Sequence, residues 1–276
     1  MMRHKPMLAY PVSKKPIDYN KPVFMQPKLD GVRCLIQYER RTQLNSWYLR
    51  EDTVIAYSRT GKPWKNITHI LTELKPFFQK YPNIVLDGEL YNHDLKDDFG
   101  KIISLVRKTK PTDEDRLEAS KKTQFHCYDI IDEELPFDQR IEFVNQSLML
   151  LGNSIYIVDT DWIDSDIEAK VRHQTNLNNG YEGSIVRTND TYACKRSHNL
   201  RKFKDFSDAE ATIVGYEEGK GKRTGHLGKF LMQDDDGNQF GCPPGKGYNY
   251  QDMKAILKDI HKYMGQRATF TYFERT

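Results

Sequence analysis

Lysines and carboxylates spaced two positions apart recur along this sequence. Lys28 and Asp30 stand in "PKLDGVRC", Asp87 and Glu89 in "VLDGELY", and Lys202 and Lys204 in "LRKFK". Residues i and i+2 of a strand point to one face, so each pair would present both charges to the same side. Glu182 heads a further strand segment, "EGSIVR". Taken singly, each has a plainer reading: an Asp-Gly hairpin turn, a turn before a strand, or an edge strand guarded by lysines. Taken together, they suit a pocket for a polyphosphate and a hard cation. Lysines neutralise phosphate oxygens, and carboxylates hold Mg2+, which keeps several of its waters. The sequence has no G-x-x-x-x-G-K-[ST] loop and no strand-borne G-x-G-x-x-G, so the two commonest phosphate-binding loops are absent.

The elements that must position these charges follow from the pattern of apolar residues. "VFMQPKL" and "RCLIQYE" read as strands around the first Asp-Gly, a pair suited to a type I′ hairpin turn with Arg33 across from Lys28. "SWYLR", "VIAYSR", "NIVLDGELY", "QFHCYDII" and "YEGSIVR" are further strands. "NITHILTELKPFFQKY" places Ile67, Ile70, Leu71 and Leu74 on one helical face, with Asn66 as its N-cap. Helices are also expected around Ile141, Val144 and Leu148, and from Ser165 to about Asn178, where Gly180 is the C-cap. Residues 1–22, rich in Pro and Lys, read as an extended lead-in. After "LRKFKDFSD" the texture changes to short strands and one amphipathic helix with Met253, Ile256, Leu257, Ile260 and Met264 on one face. That content fits a small barrel of the oligonucleotide/oligosaccharide-binding (OB) type. The expected class is α+β: a domain of mainly antiparallel sheets with helices over 1–206, then an OB-fold barrel over 207–276.

The bulk numbers are permissive. A chain of 276 residues with 29% charged and 12% aromatic residues is a folded composition, and a net charge of +3 allows nucleic acid without demanding it. Cys34, Cys127, Cys194 and Cys242 are scattered, which argues against a zinc ribbon or a disulfide scaffold and fits a reducing compartment. No apolar run approaches the ~18 residues of a membrane span. The expectation is a soluble, intracellular, cytoplasmic protein with no membrane partner.

The order K-x-D-G-x-R, D-G-E, Y-D, E-G and L-x-K-x-K resembles the covalent nucleotidyltransferases, which are the ATP-dependent DNA ligases and the mRNA capping enzymes. The likeness extends from residue 24 to about residue 245. The stretch "ATIVGYEEGKGKRTGHLGKFLMQDDDG" resembles the start of a DNA-ligase OB domain and favours a ligase, and the nearness of Lys28 to the N-terminus implies one of minimal, viral or phage-like build. The resemblance implies that Lys28 attacks the α-phosphorus of ATP and becomes a lysyl-AMP. A free lysine titrates near ~10.4, so neighbouring cations would be needed to favour the neutral amine. It further implies a nucleotide site built from Gln26 (the adenine amino group), Asp30, Arg33 (the sugar), Glu89 (ribose or metal), Tyr128 (stacked on adenine, with Phe125 as the fallback), Glu182, and Lys202 with Lys204 on the α-phosphate. Mg2+ would lie on Glu89 and Glu182.

The implied partner is nicked duplex DNA, sealed by a monomer in replication or repair, in the host cytoplasm if the protein is viral. Arg59 would grip the 5′-phosphate, and Lys195, Arg196, Lys220, Lys222 and Arg223 would contact other phosphates. The sequence departs from the family in two places. The Gly that commonly precedes Lys195-Arg196 is missing. The family's terminal basic segment also has no counterpart, since only Arg267 and Arg275 stand in the last ten residues. This suggests a chain truncated at its C-terminus. A capping guanylyltransferase using GTP on the same Lys28, and a non-catalytic nucleic-acid-binding module, are the alternatives.

Overall fold

The computed structural model describes residues 2, 4–39, 53–149, 151–203, 207–245 and 247–272. The strand expected at 46–50, Lys204, the boundary at 206 and Arg275 lie outside them. The chain divides into two compact units, Met1–Lys204 and Asp205–Thr276.

Two five-stranded sheets form the first unit. One orders β1 (Leu8–Pro11), β10 (Arg196–Phe203), β9 (Ser184–Thr188), β2 (Val23–Pro27) and β8 (Asp161–Ile163). The other orders β4 (Thr53–Tyr57), β3 (Val32–Glu39), β5 (Val85–Tyr91), β6 (Gln124–Ile130) and β7 (Ile155–Ile157). Neighbours are antiparallel except β1 with β10 and β6 with β7. The helices are α1 (Thr68–Glu73), α2 (Lys75–Lys80), α3 (Phe99–Val106), α4 (Asp113–Lys122), α5 (Phe137–Leu148) and α6 (Asp166–Asn178).

Strand alternation gives each sheet two differently used faces. On β5, Leu86 and Leu90 join the main apolar core with Ile70, Phe78, Ile102, Val106 and Phe137. Val85, on the opposite face, packs with Met7, Tyr192 and Leu200 from the first sheet's side. Asp87 and Glu89 share that face with Val85. On β2, Val23 and Met25 pack with Val186, Ile163 and Ala169 of α6, while Phe24 faces the main core. The polar faces of the two sheets are thus turned toward each other.

Several expectations are corrected. The first Asp-Gly is not a hairpin turn. Lys28 lies one residue past β2, and Asp30-Gly31 carries the chain from the first sheet to β3 of the second. Gly31 is absent from the positive-φ glycines. It is needed for close approach instead, because a Cβ there would sit 2.6 Å from the Leu90 carbonyl oxygen and 2.6 Å from Cγ of Glu89. The second Asp-Gly does not turn either, since β5 runs through it. A Cβ on Gly88 would lie 2.4 Å from the His126 carbonyl oxygen and 2.6 Å from the Phe125 ring.

The helix expected over 66–81 breaks into α1 and α2 at Leu74, where Pro76 supplies no helical donor. Asn66 is not its cap. It is buried and donates to the carbonyls of Leu105 (2.9 Å) and Asp115 (3.2 Å), tying α3 to α4. Neither α3 nor α4 is expected from periodicity. α4 has no apolar stripe and rests on a Thr112–Asp115 capping box and the Glu118–Lys122 pair at 3.0 Å. The lead-in contains β1.

In the second unit, β13 (Gln239–Cys242), β12 (Leu227–Gln233), β11 (Ser207–Glu218) and β14 (Arg267–Tyr272) form an antiparallel sheet that is open among the described residues. α7 (Tyr250–Lys258) accompanies it, and Ala211, Ile213 and Met232 form its core. The helix expected through Met264 ends at Lys258. Ile260 begins a separate 3-10 turn, and Met264 packs into the core beyond it.

Candidate active site

Between the facing sheets lies a cavity of about 300 Å³. Leu8, Ala9, Gln26, Lys28, Arg187, Arg196, Leu200 and Lys202 line it from the first sheet, and Arg33, Glu89 and Tyr128 from the second, with Arg59 at its edge. Most of the charged positions singled out in the sequence therefore meet here, although Lys28 and Lys202 lie 174 residues apart (202 − 28).

Lys28 is fixed by its backbone. Its N–H donates to the Gly183 carbonyl (2.9 Å), and its own carbonyl accepts from Glu182 N–H (3.2 Å), which extends the β2–β9 pairing beyond the strand ends. That pairing brings Glu182 beside Lys28, and Nζ of Lys28 donates to Oε2 of Glu182. On β10, Leu200 and Lys202 alternate into the cavity. Arg201 points the other way, to the carbonyls of Lys15 and Pro16.

The guanidinium of Arg33 grips Asp87 in a fork, with Nε to Oδ1 at 2.6 Å, and lies 5.1 Å from the Tyr128 ring centroid. Asp87 also accepts from the Tyr192 hydroxyl (2.7 Å), whose oxygen accepts from Met7 N–H (2.7 Å). Glu89 accepts from the Tyr128 hydroxyl at 3.2 Å. Tyr128 lines the cavity, whereas Phe125 is fully buried against Gly88.

Burial pushes the Glu89 carboxyl up to about 8, against the opposing pull of Arg33 and the Tyr128 hydroxyl. A carboxyl raised on folding costs stability as pH climbs, because the unfolded chain gives up its proton first. Glu89→Gln is therefore expected to melt above the wild type. The margin should widen between pH 4.5 and about 8 and then stay level. Melting curves across that range test this, and a margin independent of pH would remove burial of the charge as its cause.

Gln26 is buried, and its carboxamide is engaged on both sides. Nε2 donates to the Tyr128 carbonyl (3.1 Å) and Thr160 Oγ1 (2.9 Å), and Oε1 accepts from Arg187 Nε (2.7 Å). Any base contact is limited to the carbonyl oxygen's remaining lone pair. Arg187 is itself held by Asp129 at 2.7 Å, and Asp129 is gripped by Arg140 at 2.8 Å. Arg187, Arg140 and Tyr192 escaped the sequence reading, and Asp129 entered it only as part of the Y-D motif. The available signal was the alternation Ile185, Arg187 on β9, which turns Arg187 toward the same cavity.

Arg59, Lys195 and Arg196 line a neighbouring hollow of about 330 Å³. Lys220, Lys222 and Arg223 lie in the second unit, on the exposed connection from β11 to β12. Asp30 follows Leu29 in the link between the sheets, near enough to Glu89 to contribute to its raised pKa.

Glu89 and Glu182 offer hard carboxylate oxygens of the kind Mg2+ takes alongside water and phosphate. Among the described residues no group of three or more His, Cys, Asp or Glu could hold a metal alone. No helix among the described residues is long and apolar enough to cross a membrane.

Two mainly antiparallel sheets thus hold lysines and a carboxylate against one cavity. Residues 6–204 match the model of the ATP dependent DNA ligase domain, and the chain belongs to that family, whose members are DNA-joining, ATP-using enzymes. Its fold is shared by a Lig E DNA ligase described as binding DNA with a minimal scaffold (22% identity, 100% of this chain and 94% of that one, TM-score 0.75). It is also shared by the bacteriophage T7 ATP-dependent DNA ligase complexed with ATP (17%, 99% and 94%, TM-score 0.58). A third is the Chlorella virus DNA ligase-adenylate (22%, 99% and 92%, TM-score 0.51). At these identities the likeness is one of fold. No curated protein matches this chain.

Proposed function

We propose that the chain seals nicks in duplex DNA through a lysyl-AMP on Lys28. The observation that carries this reading is the placement of the Lys28 amine in a cavity with Glu182 hydrogen-bonded to it and with Lys202, from β10 of the same sheet, lining the same cavity. Nζ, once deprotonated, attacks the α-phosphorus of ATP. A P–N bond forms and pyrophosphate leaves. The 5′-phosphate of the nick then displaces Lys28 from AMP, and the 3′-hydroxyl displaces AMP to close the phosphodiester. Glu182 aims the amine, Lys202 and Lys204 neutralise the α-phosphate, and Tyr128 offers its ring to the base. Arg33, held by Asp87, keeps that ring in place and faces the sugar. Mg2+ on Glu89 and Glu182 would supply charge neutralisation at the phosphate oxygens.

In this reading the second unit acts as an OB module, and the enzyme is a monomeric ligase of the minimal type found in viruses and phages, working inside the cell. Replacing Lys220, Lys222 and Arg223 together is expected to flatten the salt dependence of nicked-DNA binding by up to about three charge units. An unchanged slope would place the DNA elsewhere.

Incubation with ATP or GTP labelled at the α-phosphate, followed by electrophoresis and mass measurement of the Lys28 peptide, tests the reading. An AMP adduct on Lys28 supports it. A GMP adduct moves the chain to the capping enzymes, and no adduct at all leaves only a binding module.

A further inference from the structure

A buried carboxamide can present either its oxygen or its amine, and at Gln26, which lines the cavity, the choice is forced. Nε of Arg187 can only donate, so the atom 2.7 Å from it is the oxygen. The Tyr128 main-chain carbonyl can only accept, so the atom 3.1 Å from it is the nitrogen. The Thr160 hydroxyl gives its own proton to the Val158 carbonyl (3.1 Å) and accepts the second Nε2 proton on its oxygen (2.9 Å). Both amide protons are thereby used, and one lone pair of Oε1 is left. We propose that Arg187 sets the base preference of the cavity: by holding that oxygen it leaves Gln26 able only to accept, which suits the 6-amino group of adenine and excludes a 6-oxo purine. The proposal rests on the reading of this cavity as the site of AMP transfer.

Arg187 is built to hold still. The pairing of Gln26 with Ile185 puts it on the diagonal of the same face of β2 and β9. Its Nη1 binds Asp129 at 2.7 Å, and Asp129 is gripped by Arg140 through two bonds of 2.8 and 3.2 Å. Its guanidinium lies 4.8 Å from the Phe137 ring centroid and 5.4 Å from that of Tyr128. One immobile cation therefore touches both the ring offered to the base and the carboxamide at the base's edge.

Charge balance accounts for Arg140 on Asp129, one buried cation to one buried carboxylate. It does not account for Arg187, a second buried guanidinium on the same carboxylate. The other hydrogen bond of Arg187 goes to a neutral amide that needs a donor there only if its orientation matters. A site that hydrogen-bonds one substrate group rejects the analogue lacking it, because a buried polar atom is then left unpaired. An oxo group in place of the amine is worse, since it sets two acceptors against each other.

Equilibrium dialysis of AMP and IMP against wild-type protein, Arg187→Met, Thr160→Val, Gln26→Met and the combined Gln26→Met, Arg187→Met variant is the test. IMP carries an oxygen where AMP carries the amine. Neither has a pyrophosphate to lose, so no adduct enters the measurement. Wild-type protein is expected to prefer AMP by roughly ten- to a hundredfold, the scale of one buried hydrogen bond left unmade. Methionine at 187 leaves Asp129 its pairing with Arg140 and releases Oε1, and the preference should fall to about threefold or less. Thr160 is half-buried between β7 and β8, and valine keeps its shape. Thr160→Val should lower the preference in the same direction but by less, and it decides the matter if melting curves show Arg187→Met unfolded. In the Gln26→Met background, Arg187→Met should change the preference no further.

A part in holding the fold alone would weaken AMP and IMP alike. An unchanged ratio in Arg187→Met, or in Thr160→Val where the former does not fold, would overturn the proposal. So would a further fall in the combined variant, which would place Arg187 on the base itself, or wild-type protein that binds IMP as well as AMP. If the preference and its loss are both found but ATP leaves no adduct on Lys28, the proposed chemistry goes and the positioning role of Arg187 stands.

Discussion

Lys28→Ala protein is expected to form no covalent nucleotide adduct, and Lys28→Arg protein none either. The side chain is only partly buried and makes no contribution to the apolar clusters, so the fold should be retained in both. Arginine keeps the charge and the hydrogen bond to Glu182 yet stays protonated at any working pH, so it has no lone pair to offer phosphorus. Loss on the order of a thousand-fold or more in labelling rate is the expected scale for removing a nucleophile. Sealing of a nick that already carries 5′-AMP should survive in Lys28→Ala far better than sealing from ATP, since the nucleophile's task is by then complete. An adduct on Lys28→Arg protein, or equal loss of both reactions, would end the assignment.

Asp129→Ala should be the most damaging change to stability among the cavity's supports. Its carboxylate binds Arg140 at 2.8 and 3.2 Å and Arg187 at 2.7 Å, and all three side chains are buried. Removing it leaves two guanidiniums facing each other with no counter-charge, and breaking such a buried pair costs about 3–5 kcal/mol. Arg140 keeps the carbonyls of Leu135 and Asp190, and Arg187 keeps Gln26, so the protein should unfold at lower denaturant rather than fail to fold. Urea unfolding measures this. A loss below about 1 kcal/mol would mean that water or rearrangement replaces the carboxylate.

The charged positions of the site were legible because strand alternation and motif order both constrain them. Lys28, Glu89 and Lys202 line the cavity, and Glu182 is hydrogen-bonded to Lys28. The local geometry around them was less legible. Asp-Gly has the dihedral freedom of a hairpin turn, and nothing in "LDGV" or "LDGE" reveals that the glycines serve close approach of backbone to backbone. That requirement comes from Leu90 and His126, far away in sequence. No sequence motif singles out Arg187 and Arg140, because the carboxylate they share, Asp129, joins them only in the fold. α4 lacked an apolar stripe, and only its capping box, Thr112 with Asp115, announced it. The break between α1 and α2 coincides with Pro76, while the apolar spacing of Ile67, Ile70, Leu71 and Leu74 alone implies one helix. The OB reading of the second unit came from resemblance, and its described strands form an open sheet.

The pairing of Lys28 with Glu182 spans 154 positions, and Lys202 lies further on. A ribosome adding roughly 5–20 residues per second would release Lys28 on the order of ten to thirty seconds before those partners emerge. Throughout that interval the residue proposed as nucleophile is already made, while nucleoside triphosphate is at hand. The backbone bonds that aim Lys28 come from Glu182 and Gly183, and the cavity wall comes from β9 and β10, so none of them exists yet. An incomplete chain therefore has an ordinary solvated lysine at this position. If Lys28 is the nucleophile, as proposed, synthesis order withholds its partners until the fold that aims it has closed.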